Sequence, residues 1–244
     1  MTDPPPPGGH VGFTCPADHR VFGPIGETLR AHGHAVTFFE TPPDVPAGRL
    51  ESLTLLVSKT VSPSALRTLL TAERLGVPTW NSATGVLVCS ARLTQLRALA
   101  AVGFEVPPVS LSPPDGEYVA KGRYHWDHPP VRNGEGALYE PLLPADQLDY
   151  KYYVVDDGTE YRAAVVRATS KLAGPKEIRG RGTPDPAHVD RIAALMERLD
   201  LRGVGVDLLR VDDDWYAVDL NPCPSFVGTG LESALVDAIE HCLD

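Results

Sequence analysis

A chain of 244 residues can bury a sizeable core as one α/β unit or as two small domains, and its 43% hydrophobic and 22% charged residues are ordinary for a globular protein. Its formal net charge of −10 argues against nonspecific binding to duplex nucleic acid, because neutralising phosphates needs a basic surface. No apolar run approaches the length of about 18 residues that a membrane span requires. We therefore expect neither a nucleic-acid nor a membrane partner, and the oligomeric state stays open.

The first residues, MTDPPPPGGH, lack the positive n-region and the apolar h-region of a secretory signal. We expect residues 1–9 to form a disordered leader. Four cysteines, at positions 15, 89, 223 and 242, are spread along the chain without a Cys-x-x-Cys pair. This spacing favours reduced thiols and a cytoplasmic protein.

Residues 10–106 alternate between strand-like and helix-like segments. Strands are predicted over 11–14, 36–39, 53–57 and 77–80, and helices over 22–32, 63–75 and 91–102, with a loop at 42–46. This order predicts a small parallel sheet with covering helices. The Pro- and Ser-rich stretch 107–116 predicts a linker, at which we place the domain boundary.

Residues 117–244 predict a second, α+β domain. Its strands are expected over 118–121, 137–139, 150–155 and 161–167, several of them antiparallel. A helix is expected over 185–199, because Asp185 can cap it and Pro186 suits its first position. A second, amphipathic helix is expected over 231–242, and the glycine- and charge-rich segment 174–182 predicts a mobile substrate loop.

Two strand-like runs, 204–210 and 215–220, are joined by three aspartates and predict a β-hairpin. Asp207 and Asp219 could face each other across it, and the two-residue period places Asp219 and Asn221 on the same side. Unpaired carboxylates in apolar runs would cost several kcal/mol, whereas two carboxylates and an amide oxygen suit a hard cation such as Mg²⁺. The alternative is that both aspartates are ordinary charges at strand ends.

Four segments in order along the chain carry a family resemblance. They are the Asn-Ser sequence at 81–82 with the segment 91–107, the Tyr-Glu-Pro-Leu sequence at 139–142, the Asp-Tyr-Lys sequence at 149–151, and Gly-Val-Gly-Val-Asp followed by Val-Asp-Leu-Asn-Pro at 203–222. They resemble the helix before the nucleotide domain, the adenine-contacting linker, the D-x-R/K strand and the metal-binding end of the ATP-grasp superfamily. The likeness runs from about residue 10 to the C-terminus. It is closest to glutamate-ligase and glutathione-synthetase-like carboxylate–amine ligases, with the inositol-trisphosphate kinase branch next.

This resemblance implies ATP and Mg²⁺ as cofactors. The metal ligands would be Asp207, Asp219 and Asn221. The phosphates would be contacted by Lys121 and Lys151 and by Arg92, which stands where the family normally has lysine. Glu140 would lie in the adenine-contacting segment.

Positive charge in the second domain predicts where the acceptor would bind. Paired donors of arginine recognise carboxylates and phosphates, and the basic cluster comprises Arg162, Arg167, Lys171, Lys176, Arg179 and Arg181. By resemblance, Arg167 is the catalytic arginine that stabilises the acylphosphate and the tetrahedral intermediate. Arg162, Lys176, Arg179 and Arg181 are then the substrate residues. The alternative is an exposed basic loop that balances nearby acids.

The segment after Lys121 is much shorter than the phosphate-closing hairpin of the family, which predicts a shortened central subdomain. His125 and His128 of this segment are expected in a loop, because Pro129 and Pro130 follow them. The favoured function is an ADP-forming, peptide-bond-forming ligase that joins small-molecule or peptide carboxylates and amines through an acylphosphate. A small-molecule kinase and an ATP-grasp binding protein without turnover are the alternatives. The sequence leaves the identity of both substrates open.

Overall fold

The computed structural model describes residues 8–40, 45–146, 148–170, 172, 174 and 177–243. Most of the predicted leader and most of the predicted loop 42–46 lie outside these residues, as do Lys171 of the basic cluster and the predicted substrate residue Lys176. Within the described part, no helix combines the length and the apolar character that crossing a membrane requires.

The first part of the chain forms the predicted parallel sheet. Its strands are β1 (His10–Phe13), β2 (Ala35–Phe38), β3 (Leu55–Val57) and β4 (Thr79–Trp80), in the order β2-β1-β3-β4. The helices α1 (Phe22–Ala31), α2 (Ala47–Leu50) and α3 (Pro63–Arg74) lie between them in the chain. Parallel strands need such crossover connections, which is why strands and helices alternate in this part of the sequence.

Two helices, not one, follow the parallel sheet. The helix α4 (Ala83–Ser90) was not predicted, and α5 (Arg92–Ala101) occupies the predicted segment. Ser82 caps α4 by accepting a hydrogen bond from the Gly85 N–H at 3.0 Å. Gly85 packs so closely on the carbonyl of Leu199 that a Cβ atom would collide with it. The glycine lowers helix propensity in the sequence, and tertiary packing overrides that preference.

The second part of the chain contains two antiparallel sheets. A three-stranded sheet has the order β6-β5-β7, with β5 (Tyr118–Lys121), β6 (Val131–Arg132) and β7 (Leu138–Pro141). A five-stranded sheet has the order β10-β9-β8-β11-β12, with β8 (Leu148–Asp156), β9 (Tyr161–Thr169), β10 (Ile178–Gly182), β11 (Gly203–Val211) and β12 (Asp214–Asn221). The helices α6 (Pro186–Leu199) and α7 (Glu232–His241) cover it, and Asp185 caps α6 as predicted, with Oδ1 accepting from the Ala187 N–H at 2.9 Å.

The predicted mobile loop 174–182 is wrong over its last five residues, which form the edge strand β10. This strand pairs with β9, and the register shifts between Ile178 and Gly180. Gly180 has a φ of 127°, a conformation that favours glycine. A sequence pattern that depends on apolar and β-branched residues does not identify this exposed edge strand, because the strand consists mostly of glycine and arginine.

Both faces of the central strand β8 are buried, which explains its continuous run Tyr152 to Val155. Tyr152 and Val154 face a core with α6, whereas Tyr153 and Val155 face a second core shared with α1, α7 and the parallel sheet. Side chains alternate along a strand, so a strand covered on both sides needs apolar residues at every position.

A buried asparagine joins the two parts of the chain. The side-chain amide of Asn81 donates to the carbonyls of Gly203 at 2.8 Å and Pro222 at 2.6 Å. Its oxygen accepts from the N–H groups of Arg202 at 2.5 Å and Gly203 at 3.1 Å. Asn81 thus ties the end of β4 to the start of β11 and to the segment after β12.

Candidate functional site

The hairpin of β11 and β12 has the predicted register. Asp207 lies opposite Asp219, and Asn221 lies opposite Gly205. The register shifts between Asp207 and Leu208, so Val218 is an extra residue in β12. The side chains of Asp207 and Asp219 are only 27% and 30% exposed. The fold therefore holds two carboxylates side by side with limited access to water.

Lys151 lies on β8 directly opposite Asp207. Its Nζ donates to Oδ2 of Asp207 and lies 3.6 Å from Oδ2 of Asp149. Burial favours the neutral amine, but the two carboxylates outweigh it and raise the pKa of Lys151. Burial raises the pKa of Asp207, and the nearby charge of Asp219 adds to this although Lys151 opposes it. The strand pairing thus builds a buried cation between two carboxylates.

Asp219 is held by three side chains that the sequence separates by about a hundred residues. Its Oδ1 accepts from Nη1 of Arg92 and from Nε2 of Gln95 at 3.1 Å, and it lies 3.2 Å from Nε2 of His125. Burial alone would raise the pKa of this carboxyl. The hydrogen bond and charge of His125 and the charges of Arg92 and Lys121 outweigh burial, so the pKa of Asp219 lies well below its ordinary value.

Lys121 and Glu140 form a buried ion pair on the neighbouring strands β5 and β7. Nζ of Lys121 lies 2.8 Å from Oε1 of Glu140 and donates to the carbonyl of Val218 at 2.9 Å. Burial raises the pKa of Glu140, although Lys121 counteracts it. The carbonyl that Lys121 binds belongs to the extra residue of β12, which links the three-stranded sheet to the hairpin. The predicted adenine-segment residue therefore contacts a predicted phosphate-binding residue directly.

The sequence did not identify Gln95 as a site residue, and it predicted a loop position for His125 but no contact with Asp219. Nε2 of His125 lies 2.9 Å from Oε1 of Gln95, which also accepts from the Leu220 N–H at 3.2 Å. Gln95 follows Arg92 by three residues and so lies on the same face of α5, a spacing that could have identified it. Nothing in the sequence near His125 indicated a contact with Asp219, because that contact depends on tertiary structure.

The short segment after Lys121 docks on the junction of α4 and α5. The Arg92 N–H donates to the carbonyl of Arg123 at 2.9 Å, and the His125 N–H donates to the carbonyl of Ser90 at 3.0 Å. Tyr124 and Trp126 stack with their ring centroids 4.6 Å apart. His125 lies in a loop, as expected, and the docking brings it to Asp219.

Oxygen ligands dominate the predicted metal position. Among the described residues, no three His, Cys, Asp or Glu side chains gather as a metal site would require. The predicted set instead combines two carboxylates with the amide of Asn221, whose Oδ1 accepts from the Cys223 N–H at 2.8 Å. Two neighbouring carboxylates and an amide oxygen fit the chemistry of Mg²⁺, which prefers oxygen ligands.

The predicted arginines divide into two groups. Arg167 on β9 pairs with Gly180 on β10, and its buried Nε has no hydrogen-bond partner among the described residues. Arg181 donates from Nε to the carbonyl of Gly228 at 3.0 Å, and Arg179 forms an exposed ion pair with Glu177 at 2.8 Å. These three lie on β9 and β10.

Arg162 is separated from them. It lies at the other end of β9, where it pairs with Asp157 at 2.8 Å and with Glu160 at 2.5 Å. Five residues along a strand separate it from Arg167 by about 17 Å and place the two side chains on opposite faces. The structure therefore does not bring Arg162 together with the other predicted substrate residues.

Comparison with protein-family models and with curated proteins gives no match. Solved structures give clear ones. A structure of the ATP-grasp ligase PsnB complexed with minimal precursor, Mg and ADP is 16% identical, with a TM-score of 0.68, and the match covers 96% of this chain and 97% of that one. The macrocyclase MdnC from Microcystis aeruginosa, bound with its precursor peptide MdnA, is 11% identical with a TM-score of 0.67, covering 96% and 98%. A RimK domain protein from Sphaerobacter thermophilus is 16% identical with a TM-score of 0.69, covering 94% and 98%.

Proposed function

We propose that this chain, which has the ATP-grasp fold, is an ATP-dependent, ADP-forming carboxylate–amine ligase. The observation that carries the proposal is the meeting of Arg92, Lys121 and Lys151 with the paired carboxylates Asp207 and Asp219. A triphosphate needs its negative charge neutralised before a nucleophile can approach it, and fixed cations beside a metal-binding carboxylate pair do this. The neighbouring structures include ligases, one of them with Mg and ADP.

Asp207, Asp219 and Asn221 would hold Mg²⁺, which would neutralise charge on the phosphate oxygens. Arg92 and Lys151 now donate to the same two carboxylates. If these carboxylates held a cation, the guanidinium of Arg92 and the ammonium of Lys151 would be able to donate to phosphate. The ion pairs of the site thus keep buried charges balanced and hold the cations near their proposed ligand.

In the proposed reaction a substrate carboxylate oxygen attacks the γ-phosphorus, and the bond to the β-phosphate oxygen breaks to release ADP. The amine of the second substrate then attacks the carbonyl carbon of the acylphosphate. Inorganic phosphate leaves, the nitrogen loses a proton, and an amide remains. The unsatisfied Nε of Arg167 would donate to the oxygens that gain negative charge in these steps.

The substrates we propose are a carboxylate and an amine on small molecules or peptides. PsnB and MdnC were solved with precursor molecules, and the partner of MdnC is a peptide. Peptides with acidic and lysine side chains are therefore the first substrates to examine.

A binding protein without turnover is the second candidate. The observation that favours it is the short segment after Lys121, which docks on α4 and α5 through Arg123 and His125. A segment held this way has less freedom to close over phosphates than a long glycine-rich hairpin.

The first test is calorimetry of ATP binding to the wild-type protein with and without magnesium. We expect binding that depends on magnesium. Failure of ATP to bind in either condition would overturn both candidates, because each requires a nucleotide site.

The second test separates turnover from binding. Release of inorganic phosphate is measured with ATP, magnesium and a panel of peptide acids and amines, each partner being omitted in turn. A ligase releases phosphate only when the acid and the amine are both present. Magnesium-dependent ATP binding without release across the panel would favour the binding protein, and a phosphorylated product without phosphate release would favour a kinase.

A further inference from the structure

The order in which the chain adds strands to the parallel sheet reverses between β1 and β3. From β1 the chain moves outward to β2 on one side, and then to β3 and β4 on the other. In open α/β sheets, ligands bind in the crevice outside the carboxyl ends of the strands at such a switch point. Here those ends continue into Thr14 and Cys15 after β1 and into Ser58, Lys59 and Thr60 after β3. None of these residues belongs to the proposed nucleotide site.

Lys59 places a cation in this crevice. Its Nζ lies 4.3 Å from the ring centroid of Phe22 and 5.4 Å from that of Phe226, and it donates to the carbonyl of Pro224. Among the described residues, no carboxylate lies within ion-pairing distance of this ammonium. Burial lowers the pKa of Lys59 to about 8, so the amine is still mostly charged at neutral pH. A cation that aromatic rings and a carbonyl surround would be stabilised by an anion.

The two strand ends fix the position of Lys59. Its N–H donates to Oγ1 of Thr14 at 2.8 Å, and Oγ1 of Thr60 donates to the carbonyl of Thr14 at 3.2 Å. The Thr14 N–H in turn donates to the carbonyl of Val57 at 3.0 Å. These hydrogen bonds hold the backbone of Lys59 in place, which limits the conformational entropy lost when the residue binds a ligand.

Two titratable neighbours of Lys59 supply no negative charge. Nδ1 of His19 accepts from the N–H groups of Val21 and Phe22 at 3.2 Å each, so its Nε2 carries the proton and can donate. Burial raises the pKa of the Cys15 thiol to about 11, although the charge of Lys59 opposes this. The thiol therefore stays neutral and does not supply a counter-ion.

The crevice lies close to the proposed magnesium strand. Pro224, which Lys59 contacts, follows Asn221 by three residues, so their Cα atoms lie within about 11 Å of each other. The Lys59 ammonium therefore lies near the strand end that carries Asn221.

We propose that the crevice between the ends of β1 and β3 binds a substrate carboxylate, with Lys59 as its cation and Nε2 of His19 as a second donor. This carboxylate is distinct from the one that is phosphorylated and anchors the substrate at its remote end. That the bound molecule is a ligase substrate rests on the proposed function, whereas the binding itself does not.

The test uses glutarate as a dicarboxylate probe and glutaramide as its neutral counterpart. Calorimetry compares the wild type with Lys59→Gln and with Arg49→Gln, which removes a cation 4.8 Å from the Phe39 ring in the same part of the chain. We expect glutarate to bind the wild type and Arg49→Gln equally, and Lys59→Gln about tenfold or more weakly. Saturable binding of glutaramide, no saturable binding of glutarate to the wild type, or equal affinity in Lys59→Gln would overturn the proposal.

A second measurement needs no variant. Wild-type protein is treated with trinitrobenzenesulfonate near neutral pH, and the labelled lysines are identified by peptide mass mapping. We expect glutarate, but not glutaramide, to slow the labelling of Lys59, and an unprotected Lys59 would contradict the proposal. ATP affinity is measured on the same samples. Protection of Lys59 without nucleotide binding would refute the proposed function alone, and nucleotide binding without protection would refute the carboxylate site alone.

Discussion

The β11–β12 hairpin and the basic cluster between Arg162 and Arg181 were both predicted to carry function, and they differ in how the chain assembles them. In the hairpin, Asp207 and Asp219 are neighbours because backbone pairing across a tight turn fixes their register. The predicted basic cluster has no such constraint, and Arg162 and Arg167 lie at opposite ends of one strand. Strand pairing converts sequence spacing into contact, whereas a run of like charges does not, because each residue advances the strand by about 3.3 Å.

The largest effect that we predict tests the hairpin. Asp219→Asn should lower magnesium-dependent ATP affinity at least about 100-fold, since even the loss of an outer-shell partner lowers metal affinity about 10–100-fold. Calorimetry gives the affinity, and thermal unfolding checks that the variant is folded. Asp212→Asn, in the exposed turn of the same hairpin, is the control and should leave the affinity unchanged. Equal ATP affinity in both variants would show that the Asp219 carboxylate does not contribute to magnesium-dependent binding.

The next effect concerns the cation between the strands. Lys151→Met should lower the free energy of unfolding by about 3–5 kcal/mol near neutral pH, because Asp207 and Asp149 lose their buried partner. The control is Arg210→Met on the same strand as Asp207, since the ion pair of Arg210 with Asp213 is exposed and its loss should cost less than about 1 kcal/mol. Both values come from urea unfolding.

The loss of unfolding free energy in Lys151→Met, called the deficit below, should also depend on pH. The pKa of Asp207 is already raised in the folded protein, so its ionisation disfavours folding above the ordinary pKa of an aspartate. Removing the lysine increases this penalty. The deficit should therefore shrink as the pH falls and Asp207 takes up a proton, and a deficit that grows in acid would contradict this assignment.

A smaller effect tests the separated end of β9. Burial acts to raise the pKa of Asp157, but hydrogen bonds from Arg162, Thr159 and two backbone N–H groups lower it well below its ordinary value. The folded pKa is depressed, so the resulting stability is present above the unfolded pKa and is lost as the pH falls. Asp157→Asn should lower the Tm at about pH 6, and the difference from wild type should narrow towards about pH 3. A constant difference would show that this charge does not stabilise the turn.

The last prediction compares Arg162 and Arg167 on β9. Arg162→Gln should leave ATP affinity and ligase turnover unchanged, because Arg162 pairs with Asp157 and Glu160 near the β8–β9 turn. Arg167→Gln should leave ATP affinity unchanged and reduce turnover. Phosphate release with both variants sharpens the contrast between the two ends of β9, and equal turnover would remove it.

The sequence predicted what local rules determine. Alternation and turn residues located the hairpin, and Asp185 with Pro186 located the start of α6. Contacts that join distant segments were inaccessible, since Arg92 and Asp219 are 127 residues apart in the chain. The resemblance supplied Arg92 as a phosphate contact, but only the fold shows it bound to Asp219.

Other misses have the same physical cause. The edge strand β10 lacks an apolar face. The helix α4 contains Gly85, which allows close packing on Leu199 but lowers the helix propensity of the segment. In both cases tertiary structure decides against the local preference.

The extra residue in β12 divides that strand into two halves of opposite phase. Ala217 and Leu220 are both fully buried although they lie three residues apart, and strict alternation would place them on opposite faces. Val218 absorbs the difference, so Ala217 pairs with Leu208, Leu220 pairs with Val206, and Asp219 keeps its place beside Asp207. The tip of the hairpin and the base that carries Asp207 and Asp219 can therefore each satisfy their own burial pattern. The extra residue also supplies the carbonyl that Lys121 binds, so its loss would remove a contact between the hairpin and the three-stranded sheet.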